Sequence, residues 1–204
     1  MHRARRLVLA SASPRRLELL RGAGVDPLVL APRVEETPRR DEPPELRVSR
    51  LATAKARAVA ADLAARLPLA VVLGADTEVA LDGLALGKPK DAVEAAAMLR
   101  ALSGRAHDVL TGVHLLRLDD PRTTTSVVVT RVRFRAYDEA VVRDYVRCGE
   151  PLDKAGAYGI QGRGARLVES IDGSWSNVVG LPVEALDDWL ARIGLGRGDL
   201  APDS

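Results

Sequence analysis

Residues 69–75 read LAVVLGA, the most apolar run in the chain, and Asp76-Thr77 follow directly. A short continuous apolar run with β-branched residues reads as a strand buried on both faces. LVLA at 7–10 is a second such run, and Ser-Ala-Ser-Pro-Arg-Arg separates it from leucines at helical spacing. PLVLA at 27–31 reads as a third strand. Buried strands mixed with amphipathic helices and hairpins restrict the chain to an α/β class: a mixed β-sheet flanked by helices.

The remaining punctuation is consistent with that class. Ser13 reads as an N-cap with Pro14 at the first helical position. Residues 32–45 are rich in proline and charge and read as an exposed loop, followed by a helix over about 46–66. Asp82-Gly83 suits a type I′ hairpin turn. Asp91 with Glu94 opens a helix that Gly104 closes. Two long strands, 106–119 and 123–135, are joined by DDPR, and a helix spans 138–148. The glycine-rich stretch 149–165 reads as a long loop or broken helix, 166–181 as a second Asp-Gly hairpin, and 182–194 as the last helix. Residues 1–195 form one domain in two lobes on this reading, and 196–204 a frayed tail.

Composition narrows the function classes. The 204 residues carry a net charge of +2, too balanced for a nucleic-acid coat or a membrane-surface protein. Arg131, Arg133 and Arg135 alternate with Val132 and Phe134; strict alternation reads as a solvated sheet face, and aromatics for base stacking make up only 3%. The single cysteine, Cys148, excludes an internal disulfide. Apolar runs fall short of the roughly 20 residues of a membrane span. The apolar stretch after His2–Arg6 is too short for a secretory leader, so a cytoplasmic location is expected. A P-loop is absent, GRGARL lacks the third glycine of a dinucleotide fingerprint, and His2, His107 and His114 lack zinc-ligand spacing.

The Ser-Pro-Arg-Arg stretch has two readings. One is a phosphate-binding corner: a helix start with unpaired N–H groups, the hydroxyls of Ser11 and Ser13, and the guanidinium forks of Arg15 and Arg16. The other is an ordinary capped helix with solvated arginines. Asp76, at the end of a buried strand, suits a base or a metal ligand, or a simple turn cap. Lys88 in Gly-Lys-Pro, Glu35-Glu36 in the charged loop and Lys55 on the following helix are individually weak signals.

Together and in order, LASASPRRLELL, VEET, RLATAKA, GADTEV, LGKP, AAAMLRALSGRAHDVLTGV, GEPLDKAGAYGIQGRGA and VVGLPVEAL resemble the Maf proteins, over about Leu7–Leu186. The resemblance implies an elongated, two-lobed fold like that of the inosine triphosphate pyrophosphatases, with a central cleft. It implies a nucleoside triphosphate pyrophosphatase, a divalent cation (Mg²⁺ or Mn²⁺), and a homodimer. By motif, Asp76 is the catalytic base, Arg15, Thr77 and Gln161 bear on substrate choice, and Ser13, Glu35, Lys55 and Lys88 line the site. Arg16 joins the substrate contacts, and Glu35 with Asp76 are the expected metal carboxylates. DKAGAYGIQGRGA resembles the branch acting on dTTP and UTP; a branch acting on 7-methyl-GTP tends to carry a CAGSFK-like stretch with Glu in place of Gln. A non-catalytic nucleotide sensor linked to division is the competing class, and carboxylates beside the phosphate cations speak against it.

Overall fold

The computed structural model describes residues 4–201. Its frame is one seven-stranded mixed sheet. The strands are β1 (Leu7–Ala10), β2 (Leu28–Leu30), β3 (Val71–Leu81), β4 (Leu84–Leu86), β5 (Ala106–Arg117), β6 (Thr123–Phe134) and β7 (Val168–Asp172). Their order is β2-β1-β3-β5-β6-β7, with β4 also paired to β3. β1 runs parallel to β2 and β3, and the remaining pairs are antiparallel. The helices are α1 (Pro14–Gly22), α2 (Pro44–Leu63), α3 (Ala92–Leu102), α4 (Glu139–Arg147), α5 (Trp175–Val179) and α6 (Leu186–Arg192).

Period-two alternation sorts the long strands into two faces. Leu73, Ala75, Val79 and Leu81 point to one side and build two separate cores along it. The first joins Leu7, Leu9, Leu73 and Leu115 to Leu20 of α1 and Trp189 of α6. The second joins Val79, Val109 and Phe134 to Leu99 of α3 and Tyr145 of α4. The opposite face carries α2, with Ala56 and Val59 against Val8 and Val72, and Val48 against Ala80 and Leu110.

Two glycines set how closely α2 can lie. A Cβ on Gly74 would stand 2.7 Å from the Ala56 amide nitrogen, and one on Gly112 would stand 2.7 Å from that of Ser49. Both would also collide with helix carbonyls, of Ala52 and Val48 respectively. Only bare backbone at these points allows the helix to rest on the sheet. Gly112 lies directly across from Asp76 in the β3–β5 register, so this contact brings α2 over that aspartate.

Several sequence expectations need correction. Asp76 does not end its strand: β3 continues through Glu78 to Leu81 because alternate residues keep packing in the second core. Ser13 takes the extended N-cap geometry, but its hydroxyl makes no capping bond; its amide donates to Ser11 Oγ at 3.1 Å instead. Residues 166–181 are not a hairpin. Gly173, with φ near 123°, turns the chain from β7 into α5, which Ser174 caps through the Asn177 amide. The expected frayed tail is docked through Ala201: Leu200 bridges Arg5, the Ala201 amide donates to the Arg5 carbonyl at 2.7 Å, and Arg197 binds Asp187 and the Ala23 carbonyl. Residues 202–204 lie outside the described residues, as do Met1–Arg3 at the start of the basic segment. Asp82-Gly83 does form the tight turn, with positive φ at both residues, and Asp91 caps α3 through the Glu94 amide. Arg131, Arg133 and Arg135 are exposed and Val132 and Phe134 buried, a solvated sheet face. Among the described residues, no helix is long and apolar enough to cross a membrane.

Candidate active site

One edge of β3 is incomplete. β1 pairs with Val71–Gly74 and β4 with Val79–Leu81, which leaves Ala75–Glu78 without a neighbouring strand on that side. A cleft of about 960 Å³ opens there. Its walls come from the β1–α1 corner, α2, β3, the segment after β4, and the glycine-rich stretch 149–162. The opening follows from β1 ending at Ala10 and turning away into α1 while β3 continues, a divergence of the kind that hosts ligands in open α/β sheets.

At the centre lies a buried pair. Lys55 Nζ donates to Asp76 Oδ1 at 2.6 Å, and the two side chains are 8% and 11% exposed. Lys55 sits on the inner face of α2 with Val48, Leu51, Ala52, Ala56 and Val59, so the glycine contacts that seat the helix also deliver the ammonium. It also meets Glu36 Oε1 at 2.8 Å. Asp76 Oδ2 has no hydrogen-bond partner among the described residues. Glu78, two positions along on the same face, is buried and pairs with Arg47 at 2.7 Å. Its Oε2 is buried without a partner. Burial, helped by the nearby Asp76 charge, pushes the Glu78 carboxyl up to about 7.

Arg16 locks the β1–α1 corner from behind. Its guanidinium donates to the Gly180 carbonyl at 2.9 Å, Ser11 Oγ at 3.1 Å and Thr77 Oγ1 at 3.0 Å. Burial lowers the Arg16 pKa from the ordinary arginine value, and Asp76 acts against that shift. Thr77 is fixed in turn by Thr111 Oγ1 at 2.9 Å. Ser13, Arg15 and Lys88 line the cleft, Arg15 half-buried and Lys88 exposed.

Gln161 lines the opposite wall and is exposed. Its segment is held by one carboxylate: Glu150 accepts from Tyr145 Oη at 2.8 Å, the Arg163 amide at 2.8 Å and the Gly164 amide at 3.2 Å. Tyr145 Oη accepts from the Gly159 amide at 3.0 Å. His107 Nε2 and Tyr158 Oη lie 2.8 Å apart and tie β5 to the same segment.

Eight of the nine sequence-expected residues therefore line one cleft: Ser13, Arg15, Arg16, Lys55, Asp76, Thr77, Lys88 and Gln161. Glu35 does not. It is exposed and accepts from Thr37 Oγ1 at 3.0 Å, while its neighbour Glu36 contacts Lys55. In a loop without periodicity, adjacent glutamates give no sign of which faces inward. The sequence reading also missed Glu78, Arg47 and Glu150. For Glu78 a signal existed, since it lies two residues from Asp76 in a strand that continues.

The comparisons with known proteins identify the family. The Maf-like protein family profile matches residues 6–193. The chain belongs to the Maf family. A dTTP/UTP pyrophosphatase of Symbiobacterium thermophilum is 51% identical over 92% of this chain and 94% of its own. One of Myxococcus xanthus is 53% identical over 93% of each chain. One of Moorella thermoacetica is 50% identical over 93% of this chain and 96% of its own.

The charge inventory of the cleft bears on what it takes. Most of its charges neutralise one another: Lys55 with Asp76 and Glu36, Arg47 with Glu78, Lys154 with Asp153. Glu150 is committed to the glycine-rich segment. Arg15, Arg16 and Lys88 remain with no carboxylate in ion-pair range among the described residues. Together with the uncapped start of α1, they give the mouth a positive potential suited to a polyphosphate.

Proposed function

We propose that this Maf protein hydrolyses dTTP and UTP between the α and β phosphates, giving the nucleoside monophosphate and pyrophosphate. The observation that carries the reading is the meeting, at one strand-edge gap, of the Lys55–Asp76 pair with three cations that have no carboxylate partner. The curated relatives named dTTP/UTP pyrophosphatase, at about half identity over nearly the whole chain, support the substrate class.

Catalysis on a triphosphate is mostly positioning and charge neutralisation. Arg15, Lys88 and the α1 amides hold the phosphate oxygens. Arg16 keeps Thr77 and the corner in place. Lys55 fixes Asp76 through Oδ1, and Oδ2 takes the proton from the water that attacks the α phosphorus. The bond between that phosphorus and the bridging oxygen breaks, and pyrophosphate leaves with the electron pair. Gln161 offers a donor and an acceptor to the O4 and N3–H edge of thymine or uracil.

A divalent cation, Mg²⁺ or Mn²⁺, fits this donor set. Glu78 Oε2 is a buried, unpartnered carboxylate oxygen beside Asp76, and such a cation takes one or two carboxylates plus substrate phosphates. Glu78, with Asp76 next to it, would hold the ion in the place first expected of Glu35. The charge it supplies there would offset that of the phosphates. A homodimeric state belongs to the same reading and is carried by the family resemblance; a cytoplasmic location is proposed with it.

The test is a panel of nucleoside triphosphates with Mg²⁺, assayed separately for pyrophosphate and orthophosphate. Pyrophosphate release, fastest with dTTP and UTP, is the expected result. Orthophosphate with a nucleoside diphosphate would put cleavage at the wrong phosphorus and overturn the reading.

A further inference from the structure

A second cavity, of about 320 Å³, lies where the end of β6, α4 and the end of the glycine-rich segment meet. No residue lines both this cavity and the catalytic cleft. Three arginines surround it: Arg135, Arg163 and Arg166. Arg135, just past the end of β6, is the last of the alternating arginines, a motif the proposed reaction leaves unused. Two of the three are oriented by backbone carbonyls, Arg135 Nε by Val168 at 3.2 Å and Arg166 Nε by Arg163 at 3.4 Å. None of the three has a carboxylate in ion-pair range among the described residues. Asp144 also lines the cavity, and its neighbour Arg147 lies 3.7 Å away. Three cations thus face one carboxylate.

The remaining walls are aromatic and aliphatic. Tyr137 and Tyr145 commit their hydroxyls to the Leu99 carbonyl and to Glu150, so they offer the cavity mainly ring surface. Leu167 is buried beneath. Guanidinium groups recognise phosphate and carboxylate oxygens through paired donors and stack on planar rings. The volume is at the lower end of the roughly 300–1,000 Å³ of small-molecule sites. That is room for a ligand of monophosphate rather than triphosphate size.

We propose that this cavity is a second ligand site, taking a small anion attached to a planar apolar body, a nucleoside monophosphate being the type. Its occupant would touch Tyr145, whose hydroxyl joins Glu150 and Gly159 in holding the segment that carries Gln161. The site is therefore placed to sense a nucleotide and act on the segment that lines the cleft.

The experiment is titration calorimetry on the whole chain, with the cleft first filled by a UTP analogue whose α,β bridge is imido and resists hydrolysis. The probes are UMP and, in a parallel arm, inorganic phosphate. One additional UMP per chain is expected. Its affinity should fall at least about tenfold in R135Q/R166Q, the loss of one charge-assisted contact or more. Turnover without added UMP should stay at the parent level in that variant. Val141→Trp, which fills the cavity from the exposed side of α4, should also abolish the second event while leaving the arginines in place. No second binding event, or one that survives both variants, overturns the proposal. Phosphate binding as tight as UMP would overturn the planar half of the recognition.

Discussion

The two walls of the cleft are held by different physics. On one, α2 rests on β3 and β5 through bare glycine backbone, and a buried Lys55–Asp76 pair lies between the layers. On the other, a segment of short 3₁₀ turns carries Gln161: Ala157 and Tyr158 anchor its first part in the second core, and its exposed part from Gln161 onward is fastened by hydrogen bonds from the Arg163 and Gly164 amides to the carboxylate of Glu150. Packed cores are stiff, because a shift of one group displaces its neighbours. A segment fastened by hydrogen bonds at an exposed surface opens at lower cost. On the proposed reading the difference is a division of labour: the rigid wall carries the bond-breaking chemistry, and the adaptable wall reads the base.

That comparison breaks most visibly at Gly112. Gly112→Ala drives a methyl into the Val48 carbonyl and lifts α2 away from Asp76. The expected loss is about 3 kcal/mol of stability, the upper end of overpacking costs. Turnover should fall for every nucleotide alike. Denaturant unfolding with parallel dTTP and UTP assays checks both. An unchanged midpoint would mean that the close helix–sheet contact is not what seats Lys55.

A selective effect is expected at the adaptable wall. Gln161→Glu should lower the ratio of UTP to GTP turnover by about tenfold, the scale of one or two hydrogen bonds to the base. The unfolding midpoint should hold. If the ratio does not move, base reading lies elsewhere.

Acid should also loosen the adaptable wall. Burial holds His107 down at about 4, below its ordinary 6.5. Its neutral form is therefore favoured in the fold, while the unfolded chain takes up a proton below the ordinary value. Its contribution is present in full above about pH 6.5 and is lost as pH falls toward 4, by at most about 1.4 kcal/mol per pH unit. His107→Gln should flatten that part of the profile. Hydrogen exchange across 155–167 should rise with acid in the parent chain and less so in the variant.

Legibility in the sequence divides along the same line. The strands at Leu7–Ala10 and Val71–Ala75, the Asp82-Gly83 turn and the Asp91 cap are local matters of apolar run and turn chemistry, and each was readable. The continuation of β3 through Asp76 and Glu78 was not, because charged residues in a strand look like its end unless a second core beyond them is known. The gap in the β3 edge, the seating of α2 on Gly74 and Gly112, and the choice of Glu36 over Glu35 depend on residues far apart in sequence. Asp172-Gly173 misled because the same dipeptide serves a hairpin or a strand-to-helix turn. The residues of the cleft were found mainly through their motifs; their convergence is what the fold adds.

The most direct measurement is turnover of dTTP and UTP by Asp76→Asn, with unfolding followed in parallel. Asparagine keeps the size of the side chain but cannot take a proton from water. The account predicts a cooperative fold and a rate lower by about 10²-fold or more, the scale for removing a positioned base. Near-parental turnover in a folded Asp76→Asn protein would contradict it.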